Sequence, residues 1–297
     1  MKLRKLVSIL LCAVMLVAVS GTGAYAAEKK PFYLVLGDSI GYGSGLINSK
    51  EAVYGKIVAD TNGYDYANDA IPGHTTKALI GRLGEESVAG HVKQADIISI
   101  SIGGNNFLLG NILQLLFDLI VRNDLTLANE IIDGFRTDYD TIIKTIHSMN
   151  PDAVILMQTL YNPQTGTVGE AYQVSLDMLN DAIKEYAEEN PGEIEIVDVA
   201  SKLTADDIAR DGIHPSVSGN EKIAVAVLEK LKELGLGEKT EPVIVTKGMD
   251  IITGGVFNYP LRIYGGILEF LSFFTQLFAS KIFDLIKPAP PLPLSII

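Results

Sequence analysis

Ser39, His214 and Asp211 are the residue types that together could cleave an ester. A serine hydroxyl is a weak nucleophile until a base takes its proton, and a neutral imidazole near pH 7 can do so. His214 would be that base and would later return the proton to the leaving alcohol. Asp211 precedes it by three residues and could accept a hydrogen bond from the other ring nitrogen. That bond would fix the tautomer and stabilise the imidazolium. The tetrahedral intermediate carries an oxyanion. The main-chain N–H groups of Ser39 and Gly73 and the side-chain amide of Asn105 would bind it, each contributing roughly 3 kcal/mol. Glycine suits position 73 because a backbone N–H there must approach the substrate closely. Because the base must be neutral, activity should fall as pH drops through roughly 6.5.

These residues lie in four segments: Gly37-Asp38-Ser39, Gly73, Gly103-Gly104-Asn105-Asn106 and Asp211-Gly212-Ile213-His214. The first three follow apolar runs. Five runs have strand length and β-branched content, at 32–36, 64–67, 97–102, 153–158 and 194–199. Helical periodicity separates them, in Ala52, Val53, Ile57 and Val58, in Ala78, Leu79 and Leu83, and over 131–146, 174–186 and 223–234. Alternation of this kind predicts a mostly parallel sheet covered by helices on both faces. Ligands of such sheets bind at the carboxyl ends of the strands. With strand order 2-1-3-4-5 the first three strands are neighbours, so the loops carrying Ser39, Gly73 and Asn105 meet. His214 follows the fifth strand, and the stretch 200–213 is long enough to bring it back. Ser218-Gly219-Asn220-Glu221 has the form of a capping box and predicts a helix beginning there.

In this order and placement the four segments resemble the GDSL esterase/lipase family in its SGNH hydrolase form. Gly37-Asp38-Ser39-Ile40 matches the first block, with isoleucine where the family name has leucine. Ile71-Pro72-Gly73-His74-Thr75-Thr76 matches the glycine block, and Asp211-Gly212-Ile213-His214-Pro215 the last. Gly103-Gly104-Asn105-Asn106 matches the third, with Asn106 in place of the usual aspartate. The resemblance spans about residues 31–234. It implies Ser39 as nucleophile, His214 as base, Asp211 as its partner, and Gly73 and Asn105 as oxyanion donors. With it goes a three-layer α/β/α, flavodoxin-like fold around a five-stranded parallel sheet of order 2-1-3-4-5. The usual aspartate at 106 has no proton-transfer role, so the departure bears on local loop hydrogen bonding.

The ends of the chain differ from this middle. Residues 1–26 read as a signal peptide: Lys2, Arg4 and Lys5 precede an apolar stretch over 6–19, and Ala24-Tyr25-Ala26 offers a cleavage site. A bilayer-spanning helix needs roughly 20 apolar residues, so cleavage near Ala26 and secretion are expected. The only cysteine, Cys12, would leave with the signal. Net charge would move from −12 to −15, with 21 basic against 36 acidic residues, because three basic residues depart. So acidic a chain repels nucleic acid and has no polybasic attraction to anionic lipid. No metal or organic cofactor is expected. Asp206, Asp207 and Asp211 lack companion histidine or cysteine spacing. A hydrolase domain over 30–235 precedes a C-terminal extension, 236–297, with an apolar amphipathic helix and a proline-rich end.

Two apolar segments remain. In 107–121 and just beyond, Asn111, Gln114, Asp118 and Arg122 mark one narrow polar stripe on a broad apolar helix. The tail repeats the design with Glu269, Ser272, Gln276, Ser280 and Asp284. Either both pack onto the domain or each other, or they form an acyl-binding lid and an interfacial helix. On the second reading Phe107, Leu115 and Leu116 contact the acyl chain, His74 borders the pocket beside Gly73, and Ile267 to Ile286 touches a membrane surface or partner. The expected activity is that of a secreted serine esterase or lipase acting through an acyl-enzyme on small-molecule or lipid esters. The alternatives are an acetylesterase of cell-wall or extracellular polysaccharide and a non-catalytic binding protein on a hydrolase scaffold.

Overall fold

The computed structural model describes residues 29–109, 112–251 and 258–286. The signal segment over 1–26 and the proline-rich end lie outside them. Strand β1 (Phe32–Gly37) leads into the short helices α1 (Ser39–Tyr42) and α2 (Ser49–Ala52), then α3 (Tyr54–Asn62) and β2 (Asp65–Asn68). Helices α4 (Thr76–Leu83) and α5 (Glu86–Val92) precede β3 (Ile97–Ser101), which runs into α6 (Gly104–Leu108) and α7 (Ile112–Phe117). A π-helical turn over Asp118–Arg122 is followed by the long helix α8 (Thr126–Met149) and β4 (Val154–Gln158). Then come α9 (Gly166–Glu189), β5 (Glu195–Val197), α10 (Val217–Glu233) and the C-terminal helix α11 (Asn258–Ile286).

All five strands pair in parallel, in the order β2-β1-β3-β4-β5. The central strands β1 and β3 are buried almost throughout, which is why they read as unbroken apolar runs. Side chains alternate across the sheet and so divide the core. Leu34, Leu36, Ile98 and Ile100 face α4, α5, α8 and α9 on one side. Tyr33, Val35 and Ile97 face α3 and α10 on the other. This is the three-layer α/β/α architecture. β5 is shorter than the run 194–199 that signals it, and its pairing stops at Val197, opposite the last residue of β4, Gln158.

Helix α10 begins at Val217, with Ser216 as its cap accepting from Gly219 N at 3.2 Å. The cap expected at Ser218 is thus late by two residues. The Ser218 hydroxyl instead donates to Asp207 Oδ1 at 3.1 Å. Asp207 also pairs with Lys222 at 2.6 Å and accepts from Thr204, so this buried acid closes a turn.

The single apolar helix expected over 107–121 is broken into α6, α7 and the π-helical turn. Asp118 is buried and accepts from Gln114 (2.9 Å) and Arg122 (3.1 Å), so the polar stripe is tied together internally.

Beyond α10 the chain returns across the domain. Val243 N donates to Thr61 Oγ1 at 3.0 Å. The strap 247–251 then joins the loop after α1: Ile47 N donates to Met249 O (2.8 Å), and Ile251 N donates to Gly45 O (2.9 Å). Asp250 Oδ1 accepts from Val217 N, the first residue of α10, at 2.8 Å.

Candidate active site

Ser39 begins α1 at the carboxyl end of β1. Asp38 caps that turn by accepting from Ile40 N at 3.0 Å, and Asp38 N donates to Ser101 O of the neighbouring strand at 3.1 Å. The turn is thus held locally by Asp38 and tied to the neighbouring strand β3. Its hydroxyl makes no hydrogen bond among the described residues and opens into a cavity of about 900 Å³. Asp211 and His214 line that same cavity.

The His214 ring points one nitrogen, Nδ1, at Asp211 Oδ2, 2.6 Å away. Asp211 Oδ1 accepts from the backbone N–H groups of Ile213 and His214, both at 3.0 Å. Burial pushes the Asp211 carboxyl up, but the His214 ring and those two N–H groups outweigh it and hold it below the usual carboxylate range. An ionised acceptor at Nδ1 leaves Nε2 as the free base position. The loop is fastened from outside as well. The Tyr161 hydroxyl donates to Ile213 O at 2.7 Å, and Gln164 Nε2 donates to Gly212 O at 3.2 Å. Gly45 packs so closely that a Cβ there would stand 2.9 Å from His214 Cβ. Tyr161, Gln164 and Gly45 carry no motif that the sequence could reveal.

Gly73 and Asn105 also line the cavity. Gly73 has φ +82°, and a Cβ there would meet nothing within 4 Å. The left-handed backbone at this position by itself favours glycine. Asn105 Nδ2 donates to His74 O at 2.9 Å, leaving its second amide hydrogen for the cavity. His74 therefore contributes a carbonyl that orients Asn105, and its ring is not among the lining groups.

Asn106 staples the glycine loop to this turn. Its Oδ1 accepts from Thr76 N (3.1 Å) and its Nδ2 donates to Thr76 Oγ1 (2.8 Å). The Thr76 hydroxyl spends its own proton on Asp138 Oδ2 at 2.7 Å. An aspartate at 106 would face an oxygen with no proton left to give, so the amide fits the site that Asp138 creates.

The apolar wall is not the one expected. Phe107, Leu115 and Leu116 are fully buried in the core, while Leu108, Leu109, Ile112 and Leu113 line the cavity. The helix α6 ends at an extended Leu109, which resets which residues face the cavity, something a continuous helical wheel cannot anticipate. Pro260 and Leu261 of α11 complete the wall.

Asp38 is a second carboxyl group here. Burial pushes its carboxyl up to about 7, against the pull of the Ile40 N–H and of His214. Its folded form therefore holds a proton that the unfolded chain loses near pH 4, and stability falls as pH rises between those values. In Asp38→Asn the side-chain oxygen can keep the Ile40 bond without the charge. Thermal scans should show the variant gaining on the native protein from pH 4 to 7, by up to about 4 kcal/mol, and levelling above. An offset independent of pH would reject the assignment.

A sequence profile described as the GDSL-like Lipase/Acylhydrolase family matches residues 35–222, more than half of the chain. The chain belongs to that family. Uncharacterized protein YpmR of Bacillus subtilis (strain 168) is similar, 25% identical over 182 residues, covering 58% of this chain and 68% of YpmR. Among solved structures, the lipase Lip_vut3 from a goat rumen metagenome aligns with a TM-score of 0.57 at 22% identity, over 70% of this chain and 99% of its own. An extracellular lipase from Streptomyces rimosus aligns with a TM-score of 0.52 at 17% identity, over 68% and 99% respectively. At such identities the two structures attest the GDSL-like hydrolase fold and no particular substrate.

Proposed function

We propose that this GDSL-family chain is an exported serine hydrolase that cleaves carboxylic esters through an acyl-enzyme. The observation that carries the reading is the His214–Asp211 pair at 2.6 Å, set in one cavity with Gly73, Asn105 and a Ser39 hydroxyl that makes no hydrogen bond among the described residues. Ser39 Oγ attacks the ester carbonyl carbon as its proton passes to His214 Nε2. Binding of the ester closes the serine–histidine hydrogen bond, since such bonds are often long without substrate. Negative charge gathers on the former carbonyl oxygen, which accepts from Ser39 N, Gly73 N and Asn105 Nδ2. Collapse breaks the bond to the alkoxy oxygen, which takes the proton from His214 and leaves as alcohol. Water then repeats the sequence on the acyl-serine, giving acid and free enzyme. Export rests on the signal-like segment over 1–26.

The acyl side of the cavity is aliphatic, with Leu108, Leu109, Ile112, Leu113 and Leu261 offering no hydrogen bond to a sugar. Esters of medium or longer acyl chains therefore fit better than acetylated polysaccharide. A panel of aryl esters graded by acyl length, run beside acetylated sugars, tests this. Preference for the sugars would overturn it.

Asn105→Ala checks the oxyanion role. Loss of one such donor costs about 10²–10³ in kcat, with KM little changed. An effect confined to KM would assign Asn105 to ground-state binding instead.

A further inference from the structure

Helix α11 is apolar on two opposite sides, and only one of them meets the domain. Its inner side packs Leu268, buried, with Leu261 and Tyr264 against Leu116, Val168 and Ala171. The Tyr264 hydroxyl donates to Leu113 O at 3.1 Å, fixing the helix beside the cavity wall. The outer side carries Ile263, Ile267, Phe270, Phe274 and Phe278, spaced 4, 3, 4 and 4, each from 38% to 62% exposed. Such spacing keeps them on one face of the helix. The polar residues are not on that face. Glu269, Ser272 and Gln276 border a groove against Thr167, Glu170 and Val174 of α9. The polar groups thus form a narrow, still largely exposed stripe at the groove, and the side turned away from the domain is left to the isoleucines and phenylalanines.

This outer stripe begins at the cavity. Pro260 belongs both to the active-site cavity and to a second depression formed with Ile263, Tyr264 and Ile267. Leu109 and Leu113, at the cavity wall, are themselves more than half exposed. An apolar apron therefore runs from the entrance along the helix.

We infer that this face seats the protein on a lipid surface without net negative charge, with the cavity entrance turned toward it. The choice of occupant rests on the ester-hydrolase reading, because a lipid surface would feed that entrance whereas a second copy of the chain would cover it. Charge selects the kind of surface. Over 263–278 the only acidic or basic side chain is Glu269, and the whole chain carries −12, so anionic headgroups are repelled. Among the described residues no helix is long and apolar enough to cross a membrane, so α11 lies along the surface.

The test is sedimentation of the full chain with phosphatidylcholine vesicles, beside turnover of a soluble short-chain aryl ester. Phe270→Glu/Phe274→Glu should lower vesicle partitioning at least tenfold and leave melting temperature and soluble-ester turnover unchanged. Vesicles enriched in phosphatidylglycerol should bind the native chain less. If the double variant folds poorly, Phe270→Ser should show the same direction at smaller size. Equal partitioning of native and variant chains, or tighter binding to the anionic vesicles, would overturn the seating. So would a native dimer in light scattering that the variant turns into monomer. Vesicle binding lost in the variant, with no ester turned over by either chain, would support the seating and reject the hydrolase reading.

Discussion

Replacing Ser39 with alanine should lower kcat on an aryl ester by on the order of 10⁶-fold and leave the fold intact. The hydroxyl makes no hydrogen bond among the described residues, so its removal leaves no partner stranded. The backbone N–H at position 39 survives, as do Gly73 and Asn105, so a residual rate of about 10³–10⁴ over water should persist. Labelling by a fluorophosphonate probe should vanish with the same change. Turnover by the alanine variant at even a tenth of the native rate would remove Ser39 from the mechanism.

Asp211→Asn should cost about 10⁴ in kcat with little change in the fold, through the tautomer of His214. The amide oxygen can still accept from Ile213 N and His214 N, which now bond to Asp211 Oδ1 at 3.0 Å. The amide nitrogen would then face His214 Nδ1 as a donor in place of the carboxylate Oδ2 at 2.6 Å. The ring must answer with its lone pair at Nδ1, which puts the proton on Nε2, where the base is needed. Steady-state kinetics on a soluble ester, with circular dichroism to confirm the fold, decide it. A loss below tenfold would mean that the carboxylate does not set the ring.

The sheet was legible in the sequence because its strands are buried on both faces and separated by amphipathic helices. β1 and β3 show this best, and the glycine-bearing segments after them already marked where the site would form. Legibility failed where a face depended on a break in a helix. Leu115 and Leu116 read as pocket residues only if 107–121 is one helix, and with the backbone extended at Leu109 it is Ile112 and Leu113 that line the cavity instead. It failed again for single side chains acting across distant loops. Nothing adjacent in sequence links Tyr161 to Ile213, or Asp138 to Thr76 and through it to Asn106. The departure at Asn106 was visible, but its cause lies 32 positions away at Asp138.

The strap at 247–251 has a consequence for what counts as the smallest functional piece. The family profile ends at residue 222, yet Asp250 holds the start of the helix that follows His214 while its neighbours hold the loop that follows Ser39. A protease cut in those few residues would spare the sheet, both cores and every reacting group. It would still uncouple the two loops that must register nucleophile with base, so a chain nicked there would be a folded body with its jaw unhinged.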